Sequence, residues 1–186
     1  VLNWLTQQLA SIPIEISFLL AIALIVSLVG FYRLVYFISI GYAFSITGMA
    51  ICCLLFWQNR ISLFPALQTI VLAAYGLRLG VYLVSRETKP AYHKESRAGS
   101  ERAGGLGQSA MIWIGVSILY VMMFSPCLFR WALPPTETSS QGPIVPLIGL
   151  ALMAGGLGLE ALADWQKSAY KARFPKRFCD AGVYRW

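Results

Sequence analysis

The chain has 186 residues, of which 58% are hydrophobic and 12% charged, and its mean hydropathy is +0.64. So little charge cannot hydrate the outside of a soluble domain of this length, and the apolar residues come in long blocks that a globular core does not produce. The net charge of +7 does not point to nucleic acid, because the basic residues gather in two clusters beside hydrophobic runs. There they read as orientation signals, or as grips on lipid headgroups or an anionic ligand.

A helix that crosses the hydrocarbon layer needs roughly 20 apolar residues, since no water is present to satisfy unpaired backbone groups. Five segments meet that need, which predicts an all-α fold: one polytopic transmembrane helix bundle over residues 1–186. The first span covers residues 12–30, with Glu15 near its outer end. The chain starts at Val1 with no basic region before this span, so a trimmed N-terminus is expected and a cleavable signal peptide is not. The second span covers 34–57 and the third 61–84; the short connections at 31–33 and 58–60 make these first three helices antiparallel neighbours. A polar connection follows over 85–110, with Arg86, Lys89, Lys94, Arg97 and Arg102 set against Glu87, Glu95 and Glu101, and a glycine-rich stretch at 99–107. The fourth span covers 111–133, and the turn-rich loop after it holds only Glu137. The fifth covers 144–162 and continues as a polar helix into a basic segment, 163–186. With five spans the 85–110 loop and this segment share a side; both are basic, which predicts that both are cytoplasmic and the N-terminus outside. Cys52, Cys53, Cys127 and Cys179 have no metal-ligand spacing with the lone His93, so no metal site is predicted.

Some charges sit where a membrane disfavours them. Arg78 lies inside the run TIVLAAYGLRLGVYLVS, and a charge at mid-bilayer costs ~3 kcal/mol on insertion scales. It either snorkels to the nearby cytoplasmic face or lines a wet cavity. Tyr75, Arg78, Tyr82 and Arg86 are spaced three, four and four, which aligns them on one helix face. A hydroxyl deep in the layer with cations nearer the water is what a cavity for a polar-headed cofactor would present. Glu160, Asp164, Lys167 and Lys171, spaced four, three and four, form a second stripe. A helix leaving the membrane with an Asp164–Lys167 surface pair explains the lysines but not Glu160, which directly follows LMAGGLGL. Gly155, Gly156 and Gly158 in that run admit close approach of another backbone.

The string GLGLEALADWQKSAYKARFP, with the basic stretch and residues 182–186 after it, resembles the steroid 5-alpha-reductase-like integral membrane reductases, above all their bacterial branch. The run YGLRLGVYLVSR at 75–86 resembles the third-helix region of that family, and the resemblance extends from about Phe31 onward. It implies a helical enzyme of about seven spans, in a bacterial inner membrane, that reduces an activated carbon–carbon double bond of a lipid-like, steroid- or enone-type substrate with NADPH. By the same resemblance Tyr75 matches the tyrosine that hydrogen-bonds the substrate carbonyl, and Arg78 and Arg86 match basic positions of the cofactor cavity. Glu160 and Asp164 would meet the cofactor's ribose or amide groups, with Lys171 and Lys167 near its phosphates. The steroid enzymes pair the tyrosine with a second-helix glutamate, whereas no acidic residue occurs between Arg33 and Arg86 here. The family continues into a histidine–proline–asparagine–tyrosine–glutamate type motif and further spans; this chain stops at Trp186, so a truncated product is expected. The competing readings are an isoprenylcysteine-methyltransferase-like enzyme using S-adenosylmethionine, and a non-catalytic membrane protein that binds lipid or a partner helix.

Overall fold

A computed structural model describes residues 14–56, 62–88, 105–132, 142–174 and 177–185. Among these residues the regular structure is all helix, with no strand. The helices are α1 (Ile14–Ser27), α2 (Leu34–Ile38), α3 (Ile40–Phe56), α4 (Leu63–Glu87), α5 (Leu106–Ala132) and α6 (Ile144–Arg173), with 3₁₀ turns at Leu28–Phe31 and Gly182–Tyr184. Among the described residues five stretches are long and apolar enough to cross a membrane: Ile14–Phe31, Leu34–Phe56, Leu63–Glu87, Leu106–Trp131 and Ile144–Arg173. The second stretch is broken at Ser39, whose backbone leaves the helical region (φ −116°, ψ −86°) and whose hydroxyl bonds back to the Val35 carbonyl at 2.8 Å. Pro65 falls in the first turn of α4, where its missing N–H costs nothing, whereas Pro126 inside α5 removes one bond of the helical ladder.

The helices outrun their apolar runs. The third span's helix continues to Glu87, the fourth begins at Leu106, within the stretch expected as a polar loop, and the fifth runs on to Arg173. Hydropathy marks the part of a helix that sits in hydrocarbon; the helix itself persists into water as long as its backbone bonds and good helix formers allow. Residues 89–104, which carry Lys89, His93, Lys94, Arg97 and Arg102, lie outside the described residues, as does the loop at 133–141.

The chain divides into two compact units, Val1–Thr138 and Ser139–Trp186. In the first, α3 packs along both α1 and α4, while α5 packs along α1 and also touches α2, α3 and α4. Glycine sets the α3–α4 separation: a Cβ on Gly76 would come 2.7 Å from the Ala43 carbonyl oxygen, and one on Gly80 2.8 Å from Phe44 Cζ. The core is built from Leu19, Ala23, Ile46, Met49, Cys53 and Phe124 with their neighbours. Ile25, Val81 and Met122 point outward, each more than half exposed, as lipid-facing side chains do.

Hydrogen bonds between spans fix the register of this unit, because a buried polar group in an apolar layer must find a partner. Ser27 and Ser117 share a buried hydroxyl–hydroxyl bond of 3.0 Å, and Trp113 Nε1 donates to the Leu24 carbonyl at 3.0 Å. Tyr120 donates its buried hydroxyl to the carbonyl of Phe37. Thr69 gives its one hydroxyl proton to the Pro65 carbonyl at 2.7 Å, so its oxygen accepts from Trp131 Nε1 at 2.9 Å and from the Cys127 thiol at 3.2 Å. The second unit consists of α6 and the segment after it, which turns back onto the helix.

Candidate functional site

Tyr75, Arg78, Tyr82 and Arg86 all lie on α4 and all are half-buried, whereas Leu77, Val81 and Val84 between them are exposed. The predicted stripe is therefore a continuous face of that helix. Beside it runs the buried face, Gly76, Gly80 and Leu83, and the two glycines seat it against α3. Within the stripe, Nε and Nη2 of Arg78 and Nε of Arg86 lie wholly beneath the protein surface.

Tyr75 stands at one end of a chain of aromatic rings. Its ring meets Tyr42 of α3 edge-on, with centroids 6.5 Å apart, and Tyr42 lies 5.4 Å from the ring of Tyr120 on α5. Tyr120 is anchored by its bond to Phe37, so the second and fourth spans hold the aromatic surroundings of Tyr75 on the third.

At the Arg86 end of the stripe a second polar group closes the bundle. Arg33, at the start of α2, forms an ion pair with Glu87 at the end of α4, Nη1 to Oε2 at 3.2 Å. The Tyr36 hydroxyl donates to the same carboxylate oxygen at 3.2 Å, and Arg33 Nη1 also donates to the Tyr36 hydroxyl at 3.3 Å. The guanidinium lies 5.7 Å from the Tyr32 ring centroid and 5.6 Å from that of Tyr36. Both ionic partners are largely enclosed, their side chains 13% and 12% exposed, which makes this more than a loose surface pair.

In the second unit, α6 carries the other predicted residues. Glu160, Asp164 and Lys171 are half-buried and Lys167 is exposed. Lys171 Nζ lies 5.9 Å from the ring centroid of Phe178, which belongs to the segment after the helix.

A family model described as a protein of unknown function, DUF1295, matches residues 24–186. The chain belongs to the DUF1295 family. No curated protein and no solved structure matches it. The matched region takes in both stripes, the tyrosine chain and the Arg33–Tyr36–Glu87 group, so these features lie in the part of the chain that the DUF1295 family defines.

Sequence reasoning did not single out Arg33, Tyr36 or Glu87 in this DUF1295 protein, nor Tyr42 and Tyr120. A signal for the first group was present. Antiparallel neighbours place the start of the second span beside the end of the third, so Arg33 and Glu87 stand at equal depth with opposite charge. The tyrosine chain had no such signal, because ring contacts between α3, α4 and α5 depend on helix rotation.

Proposed function

We propose that this DUF1295 protein is a membrane-embedded, NADPH-dependent reductase acting on an activated carbon–carbon double bond of a lipid-like, enone-type substrate. Its family is related to the steroid 5-alpha-reductase-like proteins. The observation that carries the reading is the α4 stripe: a tyrosine among ordered rings, then two partly buried arginines along the same face.

The donor set suits the cofactor. A guanidinium has only donors and a phosphate only acceptors, and the planar fork matches phosphate oxygens two at a time. Arg78 and Arg86 would hold the phosphates. On α6, the carboxylates of Glu160 and Asp164 offer acceptors to ribose hydroxyl or amide N–H groups, and Lys167 and Lys171 offer further cations for molecules of the same class. NADPH, when bound, supplies a hydride to the β-carbon of an enone. Tyr75 would donate its hydroxyl proton in a hydrogen bond to the substrate carbonyl oxygen, where negative charge gathers as the bond is reduced. The aromatic packing of Tyr42 restrains the Tyr75 ring, so that donor need not reorganise during the reaction. The basic 85–110 connection and the basic segment after α6 support an orientation with both in the cytoplasm of a bacterium, on the side where NADPH is supplied.

The test is a nicotinamide-fluorescence titration of the full-length protein in lipid nanodiscs. NADPH is expected to bind about tenfold or more tighter than NADH, because the extra phosphate gains charge-assisted bonds. Asp164→Ala is expected to abolish the signal without changing expression. Equal affinities for the two nucleotides would overturn the reading, and unchanged binding by the Asp164 variant would reduce that residue to a surface charge.

A further inference from the structure

The segment after α6 does not trail away from the helix. The Arg177 N–H bonds the Phe174 carbonyl at 3.2 Å. From there Phe178 lies against Lys171, the Tyr170 hydroxyl donates to the Asp180 carboxylate, and the Val183 N–H donates to Gln166 Oε1 at 2.9 Å. The partners fall steadily from residue 171 to 170 to 166 as the segment advances from 178 to 180 to 183, so it runs antiparallel to α6. Gly182 makes this possible on two counts. It adopts φ +64°, in the left-handed region, and any Cβ there would strike the Gln166 side chain, 2.9 Å from its Nε2.

The direction of return matters because α6 is longer than a bilayer's hydrocarbon. Thirty residues extend about 45 Å, against about 30 Å of hydrocarbon. The apolar run ends at Leu162, so Arg173 stands well outside the hydrocarbon, and Gln166 is one turn beyond its edge, at headgroup depth. By folding back to Gln166, the segment returns Val183, and with it Tyr184 and Arg185, to headgroup depth. Tyr184 and Arg185 are both exposed, Tyr184 by 38%. A tyrosine next to a cation at that depth is the composition of an interfacial anchor.

We propose that this turned-back segment is a lipid-headgroup clasp, in which Arg185, next to Tyr184, binds an anionic phospholipid in the leaflet that α6 leaves. It is separate from the cofactor reading, which uses neither of these two residues. The test places the photo-crosslinking residue p-benzoylphenylalanine at position 184 of the full-length protein, in vesicles of phosphatidylcholine with phosphatidylglycerol. Crosslinks to lipid are expected, with phosphatidylglycerol captured about fivefold over phosphatidylcholine per mole present, the preference one cation near an anionic surface confers. Arg185→Glu should erase that preference while crosslinking to lipid persists. Gly182→Val, which cannot keep the turn, should lose lipid crosslinking altogether. Crosslinks to protein alone, equal capture of the two lipids, or a preference that survives Arg185→Glu would each overturn the proposal.

Discussion

The Glu87 carboxylate accepts from both Arg33 and Tyr36, so one side chain joins the beginning of one span to the end of the next. Because the ion pair is mostly enclosed, its loss is expected to be felt. Glu87→Ala should destabilise the protein by about 1–3 kcal/mol, since a charged partner is stripped of its acceptor. Arg33→Ala should cost a similar amount, and the double variant should cost less than the two together by about 1 kcal/mol. Thermal unfolding in detergent measures all three, and strictly additive effects would mean that the pair contributes nothing. At this scale the sequence is legible in part. Arg78 and Arg86 stand out because a charge in an apolar run demands a reason. Arg33 and Glu87 stand out less, since each sits at a helix end where charge is ordinary, and 54 residues separate them.

Along α4, three kinds of residue divide the circumference: glycines toward α3, tyrosines and arginines beside them, and aliphatic residues outward. The glycine face is the least tolerant. The neighbour of Gly76 is the Ala43 carbonyl, which is backbone and cannot rotate away, so a methyl group there must push the two helices apart. Gly76→Ala is expected to cost about 1–3 kcal/mol, the usual range for overpacking. Leu77→Ala, on the exposed face of the same turn, should change stability by less than about 0.5 kcal/mol. The difference between the two melting temperatures is the measurement, and equal effects would remove the close α3–α4 contact. The length of each helix was only partly readable. Apolar runs located the spans, but α4 and α5 extend into the polar connection because helical hydrogen bonding does not stop where hydrocarbon does.

For the whole molecule, the proposed orientation rests on residue distribution alone: the α4–α5 connection and the segment after α6 are both rich in lysine and arginine, which favours the cytoplasm for each. Alkaline phosphatase fused within the α4–α5 connection should therefore be inactive, and active when fused between α3 and α4; the reverse pattern would invert the orientation. What the sequence determined by itself was the helical, membrane-spanning class, the number of apolar spans and the two polar stripes. These follow from segment length and residue spacing, which are local properties that hydrocarbon and helix geometry impose on any chain. What only the tertiary structure decided was which groups meet: Arg33 and Tyr36 with Glu87, Trp131 and Cys127 with Thr69, the ring chain from Tyr75 to Tyr120, and the return of Val183 to Gln166. Those pairings depend on how far each helix is rotated and shifted against its neighbour. Close packing of small and large side chains sets that rotation, and hydropathy carries almost no information about it.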